Sequence, residues 1–201
     1  MNRLLAAAAS ALMLGFGAPA IAATQLTDGS GHLTGATGVT VGSATYDVTF
    51  AEGTCAGLFG GCAANSDFTF GGDALGAQAA AQALLAQVLT GGFDTDFALT
   101  FGCGAPNISD GCLALIPWDT GSGVVTAGAA YNTNNVPDPT GVGVGFQTSF
   151  DTTSAPQYVW ALFAPSTAGA VPEPSTWAMM LLGLLGAGAA LRRERRFPAA
   201  A

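Results

Sequence analysis

Hydrophobic and polar positions alternate over much of the chain, and that alternation predicts strands. Across residues 38–50, Val39 and Val41 face one way before Gly42-Ser43, and Tyr46, Val48 and Phe50 resume the period of two after it, as in two short strands about a turn. Strand-like runs return over residues 97–101, 113–118, 124–131, 142–150 and 158–163, with Gly, Pro, Asn and Asp between them. Residues 73–90 break the pattern. They are mostly Ala, Leu and Gln, open on Asp73 as a helix N-cap and stop at Gly91-Gly92. Gly76 in the first turn weakens this helix, while Leu84, Leu85, Val88 and Leu89 cluster on one side and should pack on a sheet. Strands so close together, joined by short turns, imply antiparallel pairing rather than crossovers. The expected fold is therefore α+β: a mostly antiparallel sheet or sandwich with one packed helix at about 73–90.

The two ends of the chain lack this alternation and are apolar throughout. Residues 4–22 follow Met1-Asn2-Arg3 and end in Ala20-Ile21-Ala22, so Ala20 and Ala22 make the small-x-small site of a signal peptide cleaved by signal peptidase. Gly15, Gly17 and Pro19 loosen the end of that signal helix. At the other end, residues 177–191 form a run of about 22 Å as helix at ~1.5 Å per residue, short of a ~30 Å hydrocarbon core. Length alone leaves a spanning or a buried helix open. Trp177 suits a membrane interface, and Arg192, Arg193, Arg195 and Arg196 after the run favour a stop-transfer transmembrane helix. Snorkelling by the first two arginines and local thinning would close the gap in length.

Before that helix stands Pro172-Glu173-Pro174, held extended by its two prolines. This motif, the short apolar helix after it and the closing Arg cluster together resemble the PEP-CTERM protein-sorting signal of Gram-negative bacteria. The resemblance covers about the last 26 residues up to Arg196 and says nothing of the centre. It implies recognition by a membrane-embedded exosortase, removal of the apolar tail, and release or attachment at the outer surface. The expected layout is a signal peptide (1–22), an exported β-rich domain (23–164), a linker carrying the motif (165–174), a membrane helix (175–191) and a basic cytoplasmic tail (192–201).

Charge sharpens this layout. The chain has five basic residues, Arg3 and the four terminal arginines, against 13 acidic ones. The exported region thus contains no Lys or Arg. Such a region disfavours nucleic acid and anionic lipid as partners, since both need cations to neutralise phosphate. It also removes most surface ion pairs and leaves self-repulsion that favours solubility. Despite 29 glycines in the chain, aromatic and branched side chains recur too regularly for disorder.

The chemistry-bearing residues of the exported region are few. Cys55, Cys62, Cys103 and Cys112 suggest two disulfides in an oxidising compartment; three connectivities are possible, and short loop closure favours Cys55 with Cys62 and Cys103 with Cys112. Their spacing does not suit zinc, and the chain has a single histidine, His32, in a Gly-Ser-Gly-His loop. Asp94-Thr95-Asp96 is the closest carboxylate pair, but Ala98 and Leu99 break the calcium-loop pattern counted from Asp94. Trp118, Tyr131, Tyr158 and Trp160 could stack on sugars if exposed in a row, which would bring exopolysaccharide in as a ligand. The expectation is an exported, non-enzymatic surface or biofilm-matrix protein with no catalytic residue, metal or cofactor. A carbohydrate-binding module is the alternative, and a secreted hydrolase ranks below it.

Overall fold

The computed structural model describes residues 23–104, 111–134, 138–166 and 182. The expected signal helix (1–22), Pro172-Glu173-Pro174, the membrane helix (175–191) and the basic tail lie outside the described residues. Among the described residues no helix is long and apolar enough to cross a membrane.

Seven strands form one mostly antiparallel sheet. They are β1 (Thr24–Thr27), β2 (Leu33–Val41), β3 (Ala44–Ala51), β4 (Cys112–Gly121), β5 (Val124–Asn132), β6 (Thr140–Gln147) and β7 (Tyr158–Pro165), in the order β1-β2-β3-β7-β4-β5-β6. The architecture is two three-stranded meanders joined by the last strand. β7 pairs antiparallel with β3 and parallel with β4, so it welds the two halves together. A strand in that position is covered on both faces, which is why Val159, Trp160 and Ala161 are buried in succession.

The alternation over 38–50 is a hairpin whose two-residue turn is Gly42-Ser43, with Val41 opposite Ala44. Gly42 takes a φ of 61°, open to glycine without a side-chain clash. A bulge interrupts β6 at Gly143, where φ is 82° and the register against β5 shifts.

Among the described residues three α-helices accompany the sheet: α1 (Cys55–Leu58), α2 (Ala74–Gln87) and α3 (Gly92–Thr95). The expected helix is α2. Asp73 caps it by accepting the Gly76 N–H at 2.8 Å. Gly76 has a positive reason to be there, because a Cβ would meet the Asp73 carboxylate at 2.3 Å. Leu84, Val88 and Leu89 are buried as expected, and Leu85 partly so. Most of the buried stripe, however, is alanine: Ala77, Ala80, Ala81 and Ala83. Those small residues let α2 lie close to the sheet, and its end is tied down by Gln25 of β1, whose amide donates to the Val88 carbonyl at 2.6 Å.

Two expectations are corrected, the strand at 97–101 and pairing without crossovers, and one strand is added. Residues 97–101 form no strand. Phe97–Leu99 is a 3-10 turn, because the Asp96 carboxylate accepts the Ala98 N–H at 3.1 Å and caps a helical turn before a strand can start. β1, with its polar sequence Thr-Gln-Leu-Thr, was not foreseen and pairs with β2. The pairing is not antiparallel throughout, since β4 and β7 run parallel; the chain from β6 crosses the sheet before β7 begins. Of the two architectures allowed by the sequence, the structure is a single sheet rather than a sandwich.

Candidate functional site

The C-terminal end of β7 is where the fold meets the segment that carries Pro172-Glu173-Pro174. Tyr46 lies opposite Pro165, and the Ser166 N–H donates to the Thr45 carbonyl at 2.9 Å. The sheet thus holds the chain to within six residues of Pro172. Beside this exit, an open groove of about 470 Å³ runs between the β2–β3 turn and the first turns of α2, lined by Val41, Tyr46, Phe70, Asp73 and Leu75 among others. Tyr46 packs against Phe70 and Phe163, and the Asp73 carboxylate already serves the helix cap.

His32 lies in the β1–β2 turn. The Asp28 carboxylate organises this turn, accepting the Ser30 N–H at 2.8 Å and the His32 N–H at 2.9 Å, with the His32 ring nitrogen 3.3 Å from its second oxygen. The His32 N–H, first among these donors, holds the Asp28 carboxyl below the usual carboxylate range. This is an Asx-type turn with a half-exposed imidazole on its rim, and among the described residues no second acid or nucleophile is in hydrogen-bond contact with the ring. Asp94 lies in α3 and Asp96 caps the turn after it. Among the described residues no three His, Cys, Asp or Glu side chains gather as metal ligands.

The cysteines pair locally, Cys55 with Cys62 and Cys103 with Cys112, and no described cysteine is free. The first disulfide closes a loop over the face of the sheet opposite α2. Beneath it lies Trp160, 0% exposed, whose indole N–H donates to the Gly53 carbonyl at 3.1 Å.

The four candidate stacking aromatics do not make one exposed row. Trp160 and Tyr158 pack in the disulfide-covered cluster, Tyr158 against Phe146 and Phe150. Trp118 packs against the core on the α2 side, at a bulge between Pro117 and Asp119. Tyr131 sits opposite Leu113 near the other end of β4. Strand alternation was visible in the sequence, but the burial of Trp160 depended on β7 entering between β3 and β4.

The segment beyond the described domain carries a match to a known family model. The model for the PEP-CTERM protein-sorting motif matches residues 170–196. The chain ends in a PEP-CTERM sorting motif. That motif contains Pro172, Glu173, Pro174 and the four arginines, and it implies an exosortase as processing partner, with export and sorting toward the cell surface. No curated protein and no solved structure matches the chain. The PEP-CTERM motif thus bears on the route of the protein, while the domain it carries has to be read from its own physics.

Proposed function

We propose that this chain is an exported cell-surface or extracellular-matrix protein with a structural, non-enzymatic role, delivered by an exosortase. The observation that carries the reading is the sorting motif at residues 170–196. On this reading signal peptidase removes residues 1–22, and the helix at 175–191 anchors the precursor transiently. The exosortase then separates the domain from its tail, leaving it at the outer surface or free outside. A biofilm matrix is the setting that suits an acidic module whose exported region carries no Lys or Arg. The candidate chemical groups support a structural role. Asp28, Asp67, Asp73, Asp96 and Asp151 each accept backbone N–H groups at turns and helix starts. The sugar-binding alternative loses its main support with Trp160 buried, and a hydrolase would have to rest on His32 in its turn.

The test is intact mass with fractionation, comparing the native protein from wild-type and exosortase-deficient cells. Wild-type cells should yield an exterior form lacking residues 177–201. Exosortase-deficient cells should hold the tail-bearing form in the membrane fraction. A wild-type protein that keeps its tail would sink the sorting reading.

A further inference from the structure

Both ends of the domain leave the sheet at the same pole. Gln25, Ala36, Val48 and Phe163 form one row of paired residues across β1, β2, β3 and β7. Along this series each strand runs antiparallel to the next, so β1 and β7 run in opposite directions. Walking back from Gln25 to Ala23 therefore goes the same way as walking on from Phe163 to Ser166. Three strand spacings separate the two exits, about 14 Å at ~4.8 Å each. Ala23 already packs on the core, and Ser166 is bonded to Thr45, so both ends are fixed close to their processing segments.

The hairpin turns at this pole, Gly42-Ser43 and Gly121-Ser122-Gly123, are uncharged, while Asp47 and Asp119 stand on the strands beside them and Asp73 lines the groove next to the β2–β3 turn. Asp28 after β1, Glu52 after β3 and Asp138 before β6 lie toward the opposite pole, as does Asp151, bridged to Thr54 just beyond β3.

Resting on the export reading above, we propose that the pole formed by the β2–β3 turn, Ala23 and Ser166 is a membrane-facing surface. It lets the folded domain be held by its signal segment and its sorting segment at once. Folding then need not wait for either cleavage, and the two proteolytic steps can occur in either order. Had the exits lain at opposite poles, double attachment would have required the sheet to lie flat on the membrane or to open.

The experiment uses the full chain in exosortase-deficient cells, with Ala20→Leu and Ala22→Leu together blocking signal removal so that both segments are retained. The doubly attached form should oxidise both cysteine pairs and resist proteinase K as well as forms that keep one segment. Free thiols or rapid digestion of the doubly attached form alone would overturn the proposal. Orientation has its own readout. Ser43→Cys at this pole and Ser30→Cys at the other are labelled on spheroplasts with a bulky maleimide, after mass confirms the two native disulfides. In the anchored form Ser30→Cys should react several-fold faster, and once the same uncleaved protein is extracted and unfolded the two rates should converge. Equal rates in the anchored form would refute the membrane-facing pole. Neither arm requires exosortase cleavage, so a failure here is separable from a failure of the sorting reading.

Discussion

The two faces of the sheet solve the same problem by opposite means. Under α2 the contact is small against small. Gly128 of β5 lies beneath Ala77, where an added Cβ would come within 3.2 Å of the Ala77 carbonyl oxygen. The cover is a fourteen-residue helix that satisfies its own backbone. On the other face the contact is aromatic. Trp160 meets Phe59 and Phe146 edge-on, and Phe59 also meets Phe68. Its cover is the loop around α1, a helix of four residues, far below the length at which a helix holds by itself. The Cys55–Cys62 disulfide and the bond from Trp160 to Gly53 do there what helix continuity does on the first face. The α2 face combines close backbone approach with the Cys103–Cys112 link, and the other face rests its short cover on the Cys55–Cys62 link. A domain whose exported region has no Lys or Arg, and so almost no ion pairs to draw on, uses both.

That contrast can be broken at its strongest point first. Trp160→Ala should empty the aromatic face and leave the Gly53 carbonyl without its donor. The expected loss is about 3–5 kcal/mol, read by urea unfolding, with far-UV helix signal retained in any folded fraction. Next, Cys55→Ala with Cys62→Ala should cost about 2–3 kcal/mol, since the closed loop is short. Loss of near-UV signal from Trp160 before any loss of helix would show the two covers to be separable; simultaneous loss would merge them into one unit. On the helix face, Gly128→Val should cost about 1–3 kcal/mol by lifting Ala77 off β5, and removal of the Cys55–Cys62 disulfide on the other face should leave that increment unchanged.

The smallest effect lies outside both faces and calibrates them. In the folded protein the Asp28 carboxyl sits below its ordinary range, chiefly through the His32 N–H. A depressed folded value gives stability that is complete above the unfolded value of ~3.9 and disappears as pH falls through the folded one. Asp28→Ala should therefore lower the melting temperature slightly at neutral pH, and the gap should close in acid. Thermal melts across pH check this, and a gap that widens in acid would contradict it.

How legible these features were depends on the distance over which each is decided. The Asp73 cap, the helix after it and the Gly42-Ser43 hairpin are set within a few residues, and the sequence patterns found them. The cysteine pairing was favoured by loop length alone, and the structure has the short loops. Residues 97–101 misled because period-two apolarity took no account of the Asp96 cap just before them. β1 is four residues with little apolar signal, and only its partner β2 makes it a strand. The insertion of β7 between β3 and β4 is fixed by contacts far apart in sequence, so the burial of Trp160 under the disulfide loop could not be read from its own neighbourhood. The sorting motif was legible for the opposite reason: its signal is linear, and recognising it needs no knowledge of the fold.

The carboxylates that cap turns with backbone N–H groups have a further consequence, since they do so in a region that needs no cation to balance them. Between Arg3 and Arg192 there is no Lys or Arg, so a protease whose specificity pocket requires a basic side chain finds no bond to cut, folded or unfolded. The same stretch has no lysine ε-amine for aldehydes or amine-directed cross-linkers to modify. In an environment shared with secreted trypsin-like enzymes, the domain's resistance to them is written in its composition and would survive the loss of its fold.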